Sequence, residues 1–160
     1  MNIEAIIVEF ENKKMLSPET ILFVLSNTDI RAEFVDYFTK NKNRDLALYF
    51  LNHLQNLRNQ EYPKNHDADI ETLMFWSFIL GLHENVEDSL ILWNTKTIDF
   101  DTFCGFDIQL IVFAGLDNTI RFLQSNGASK SQDALKYIQE CKESGDFENL
   151  EKYFSEPWFI

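Results

Sequence analysis

The stretch TIDFDTFCGFDIQ, residues 97–109, gathers most of the groups in this chain that could do chemistry. Asp99 and Asp101 are carboxylates one residue apart, hard oxygen donors of the kind that suits Mg²⁺ or Mn²⁺. Cys104 is a thiol between them and Asp107. Anionic neighbours blunt a thiol's reactivity, whereas the N-terminus of a helix enhances it. A Cys–His nucleophile would need an imidazole brought from afar, because no His lies within twenty residues of Cys104. Phe100, Phe103 and Phe106 are interleaved with these groups, so the stretch can equally be an acidic and aromatic surface gripped by another protein. D-x-D pairs are common and Asp101 is placed to cap a helix. The reading favoured is therefore a helix entry with acidic display rather than a metal site, with Cys104 as a small buried apolar residue.

The other candidates are weaker. His53, His66 and His83 lack ligand spacing. His53 falls on the apolar side of a helix and reads as a core-edge residue. The HDAD run, residues 66–69, offers Asp67 or Asp69 as a helix cap in preference to chelation. Trp76 and Trp93, in successive helices, could flank a pocket but read first as core. Lys96 is placed to pair with Asp99 or Asp101, a contact worth about 0–1 kcal/mol at a surface. There is no Gly-rich phosphate loop, no nucleophile elbow and no zinc spacing.

The elements that must position these groups are helices throughout. Ser17 is an N-cap with Pro18 at the first helical position. A second unit starts at Asn27 or Thr28, and its Ile30, Phe34, Tyr37 and Phe38 share a face. The segment 44–60 places Leu46, Tyr49, Phe50, His53, Leu54 and Leu57 on one side, behind a cap at Asn43. Pro63 and its polar neighbours form the longest loop signal. DIETLMFWSFILGL, residues 69–82, is apolar nearly all round and belongs in the centre of a fold. Asn85 caps the next helix, which forms an antiparallel hairpin with it. From Asp101, the residues Phe103, Phe106, Leu110 and Phe113 trace one stripe of a continuous helix ending near Gly115. A break at Gly105, with Asp107 recapping, is the competing reading. Further helices begin at Asp117, near Ser129 and at Asp146, with Asn126-Gly127 and Gly145 as stops. The apolar tail SEPWFI docks onto the body. EAIIVEF, residues 4–10, is read as helix, with a short strand as the alternative. The fold expected is one all-α domain over residues 1–160, with about nine helices in stacked antiparallel hairpins or a short superhelix.

Composition fixes the setting. The net charge of −12 is uneven: residues 1–60 carry 7 basic and 8 acidic groups, residues 61–160 carry 7 and 18. Such a field repels nucleic acid and anionic lipid and attracts basic proteins. Two cysteines make no disulfide framework. No secretory signal or bilayer-spanning run is evident, which points to a soluble, cytoplasmic protein. No cofactor is implied.

Trp93, Lys96, FDTFCGFDIQ (100–109), AGLDNT (114–119) and ALKYI (134–138) resemble pieces of small all-α bacterial proteins encoded beside toxins. These are immunity proteins of contact-dependent growth inhibition and related polymorphic toxin systems. The resemblance covers roughly the second half of the chain. It implies a non-catalytic protein that binds and neutralises a cognate basic toxin, with a nuclease as the expected kind. The carboxylates expected to face that toxin are Glu84, Glu87, Asp88, Asp99, Asp101 and Asp107, with nearby aromatics as anchors. The alternatives are a helical adaptor that holds a peptide, and an enzyme with a site near residues 99–107.

Overall fold

The computed structural model describes residues 1–61 and 68–160, with the side chain of Glu61 left aside. Pro63, His66 and Asp67, named above, lie outside the described residues. Among the described residues there are ten α-helices and no strand, so the fold is all-α. The backbone gathers into two compact units. The first comprises residues 1–80 with 159–160, the second residues 81–158.

In the first unit, α1 (Ile3–Lys13) is a helix, as read over the β-branched alternative. Asn2 caps it by accepting from the Ala5 N–H at 3.0 Å. Lys14 ends it in a left-handed conformation, φ 55°. α2 (Pro18–Ser26) starts as expected, with Ser17 Oγ accepting from the Thr20 N–H and proline at the first position. Glu9 links the two helices by accepting from the Ser17 N–H and the Thr20 hydroxyl. These bonds hold its carboxyl below the usual range. A 3₁₀ turn at Thr28–Ile30, capped by Asn27, leads into α3 (Arg31–Lys40). Asn43 accepts from the Leu46 N–H at the head of α4 (Arg44–Glu61), and Asp69 does the same for Thr72 in α5 (Ile70–Gly81).

The centre of this unit is aromatic. Trp76 of α5 is 1% exposed, stacked on Phe50 at 4.1 Å between centroids and met edge-on by Phe34 at 5.2 Å. Leu73, Met74, Phe75, Phe78, Ile79 and Leu80 are buried around the whole circumference of α5, as its unbroken apolarity requires. His53 sits half-buried on α4, and burial lowers its pKa. Arg31 was not foreseen as a core residue. Its guanidinium donates to the Glu71 carboxylate (2.6 Å), the Phe159 carbonyl (2.7 Å) and the Thr72 hydroxyl (3.2 Å), and lies over the Phe75 ring. The tail therefore docks through Phe159, buried against Phe78, while Trp158 and Ile160 stay exposed.

The second unit holds α6 (Asp88–Lys96), α7 (Phe100–Gly105), a 3₁₀ turn at Ile108–Val112, α8 (Leu116–Ser125), α9 (Ser129–Ser144) and α10 (Leu150–Ser155). α8 packs on α9, and α6 packs on both α9 and the 3₁₀ turn. Leu92, Trp93, Phe106, Leu110, Ile111, Leu123 and Ile138 form the core. The expected hairpin of α5 with α6 falls across the division between the units. The expected continuous helix over 101–115 is corrected: the chain breaks after Gly105 and turns again from Asp107. Gly115 does take a positive φ of 99°, where a side chain is strained, but it precedes α8 rather than closing a long helix. Gly145 stops α9 in the left-handed region, as expected.

Candidate functional site

The stretch 97–109 is organised by two local devices. At its start, Asp99 rather than Asp101 is the N-cap of α7. Its Oδ1 accepts from the Thr102 N–H at 2.9 Å, and Thr102 Oγ1 accepts from the Asp99 N–H at 3.0 Å. This reciprocal pair satisfies two of the helix's orphan donors. The second device is Lys96, the residue just before the stretch, which reaches over its middle. The expected pairing of Lys96 with Asp99 or Asp101 does not occur. The side chain is 3% exposed, and its ammonium donates to the carbonyls of Phe103 (2.7 Å) and Phe106 (2.6 Å). The rings of Phe103 and Tyr137 lie 5.3 and 5.6 Å from the nitrogen. Burial lowers the Lys96 pKa, while nearby Cys141, Asp107 and Cys104 oppose that shift.

Of the six carboxylates expected to meet a partner, three are spoken for. Asp88 is 2% exposed and cannot reach another molecule, which corrects its assignment to the interface. Asp99 is the cap just described. Asp107 Oδ2 accepts from the Tyr153 hydroxyl (2.8 Å) and the Trp158 indole (3.1 Å), so it anchors α10 and the segment after it. Burial, then the Asp107 charge, drives the Tyr153 pKa upward. Glu84, Glu87 and Asp101 are exposed. Glu84 and Glu87 precede α6, and Asp101 is the second residue of α7.

α7 presents aromatic rings beside its acidic group. Phe100 is 79% exposed and Phe103 39%, beside exposed Asp101 and Cys104. Cys104 is exposed, which corrects the expectation of a buried apolar residue. Cys141 is such a residue: it is 8% exposed, and burial, with Asp146 accepting from its thiol and repelling its thiolate, pushes its pKa to about 11. Trp76 and Trp93 belong to different units and are each packed into a core, Trp93 against Tyr137 at 5.6 Å. Among the described residues no three His, Cys, Asp or Glu side chains converge in a way that could hold a metal ion. Among them, too, no helix is long and apolar enough to cross a membrane.

What sequence reasoning missed here is Lys96 as a clamp. Comparison with known protein families, curated proteins and solved structures finds no match.

Proposed function

We propose that the chain is a non-catalytic binding protein of the immunity type, whose partner is a basic toxin domain. The observation that carries this reading is the outward placement of the acidic surplus in residues 81–158. That unit holds 14 acidic and 6 basic residues. Its cations do little to neutralise it. Lys96 is buried on carbonyls, Lys130 donates to Asn94, and Lys142 reaches Asp117 at 3.5 Å. Glu84, Glu87, Asp133, Glu140, Glu148 and Glu151 are exposed and take no part in an ion pair among the described residues. Such a surface steers a positively charged macromolecule towards it. Beside this field, Phe100 and Phe103 of α7 offer apolar anchors, the kind of residue that concentrates binding energy.

The test is co-expression with the product of the adjacent open reading frame, pull-down, and measurement of the association rate. A complex is expected whose on-rate falls roughly tenfold or more between about 0.05 and 0.5 M salt. Phe100→Ala is expected to speed dissociation by about tenfold, leaving the on-rate nearly unchanged. An on-rate indifferent to salt would remove acidic steering, and a Phe100→Ala complex of unchanged lifetime would move the anchor off α7.

A further inference from the structure

The first unit carries a surface that the reading above does not use. α1 and α3 line two adjoining concavities. One, of about 610 Å³, is bounded by Ile3, Glu4, Ile7 and Val8 of α1 and by Glu33, Asp36, Tyr37 and Lys40 of α3. The other, of about 490 Å³, lies between Glu11 and Lys14 and the stretch Tyr37 to Asn43. Tyr37, Lys40 and Asn41 border both, so the two are one trough, along which α1 and α3 run in the same direction. Its first end is acidic, with Glu4, Glu33 and Asp36. Its far end is basic on balance: Lys14 and Lys42 outnumber Glu11 there, and Lys40 stands where the two concavities join. Among the described residues, Glu4, Glu33, Asp36, Lys14 and Lys40 form no ion pair. Between the ends Val8 is 54% exposed, and Met1 and Met15, also exposed, stand before and after α1.

We propose that a second copy of this chain covers this trough, turned end for end about a two-fold axis that passes beside Val8. A surface that meets its own copy across a two-fold axis must be complementary to itself. A trough with carboxylates at one end and ammonium groups at the other meets that condition in the antiparallel arrangement and fails it in the parallel one. The antiparallel arrangement sets the Lys14–Lys40 end of each copy over the Glu4–Asp36 end of the other. It also opposes the dipoles of the two α1 helices favourably. Val8 of each copy then leaves water against the other. A basic peptide would be held at one end of the trough and repelled at the other.

The experiment is sedimentation equilibrium of the full chain over a concentration series, at low and high salt. The expected result is a rise in mass from 18.9 kDa towards twice that value, with weaker dimerisation at high salt. Val8→Glu is expected to raise the dimer dissociation constant by about tenfold or more. Asp36→Lys and Lys40→Glu are each expected to weaken the homodimer, and an equimolar mixture of the two to associate as well as the unaltered chain does. That reciprocal rescue arises only if the two ends meet each other. Unaltered helical circular dichroism in each variant shows that the fold is intact. A chain that stays monomeric at every concentration overturns the proposal and leaves the trough to a different molecule. So does a dimer indifferent to Val8→Glu, or a mixture no better than either variant alone. No toxin enters this experiment, so its outcome is separate from the fate of the proposed function.

Discussion

Asp107 and Cys141 show how tertiary neighbours decide what a residue does. From sequence, Asp107 is one of three carboxylates in an acidic run. In the fold it is the acceptor for Tyr153 and Trp158, which arrive from 46 and 51 residues away. No spacing rule contains those partners, which is why its role was illegible. Cys104 is exposed in the fold, whereas Cys141 is buried with Asp146 and Tyr137 as neighbours. A thiol reagent is therefore expected to modify Cys104 in the folded protein and Cys141 only on unfolding, countable as one and then two equivalents by mass spectrometry. Cys141 also sets a pH dependence. Its folded pKa, about 11, lies above the ordinary thiol value of 9.0. The folded thiol keeps a proton that the unfolded one gives up, so its contribution is intact below about pH 9 and lost between pH 9 and 11. A fall on the order of 2 kcal/mol over that window is expected in urea titrations. Cys141→Ala should flatten that dependence, and an unaltered slope would assign it to other groups.

At the scale of elements, most boundaries could be read because their causes are local. Ser17, Asn43 and Asp69 each bond an N–H three positions ahead, and the side chain that does so is visible in the sequence. The failure at residues 101–115 has a distant cause. In a continuous helix the carbonyls of Phe103 and Phe106 would accept from the N–H groups four residues on. Lys96 takes both carbonyls instead, and an apolar stripe cannot announce that a lysine will be buried. Two substitutions test this account. Lys96→Met leaves those carbonyls without a donor and is expected to cost about 1–3 kcal/mol in denaturant midpoint measurements. Asp99→Ala removes the cap of α7 and is expected to cost about 1 kcal/mol. Equal stability of Lys96→Met and the parent chain would mean that relief from burying an ammonium offsets the lost bonds.

At the scale of the whole molecule, the all-α class and the asymmetric charge were both evident in the sequence. The grouping into two units was not, because length alone points to one domain. The carboxylates read from the sequence were chosen by proximity along the chain, and the fold gives them different roles: Asp88 is buried, Asp99 caps α7, Asp107 holds Tyr153 and Trp158, and Glu84, Glu87 and Asp101 are exposed. The acidic field does not rest on those six alone, because Asp133, Glu140, Glu148 and Glu151 are exposed as well. Charge reversal at Glu140 and Glu148 together, far in sequence from α7, is accordingly expected to slow association with a basic partner several-fold while leaving the dissociation rate nearly unchanged. Stopped-flow measurement separates the two rates, and an effect confined to dissociation would place direct contacts there instead.

The bond from Arg31 to the Phe159 carbonyl spans 128 positions. Phe159 belongs to the first unit but is synthesised after the whole of the second. A ribosome that has finished α5 has therefore not yet made every part of the first unit. Until residue 159 emerges, the Arg31 guanidinium lacks one acceptor and the ring of Phe78 lacks its cover, so the first unit to begin folding is also the last to be completed.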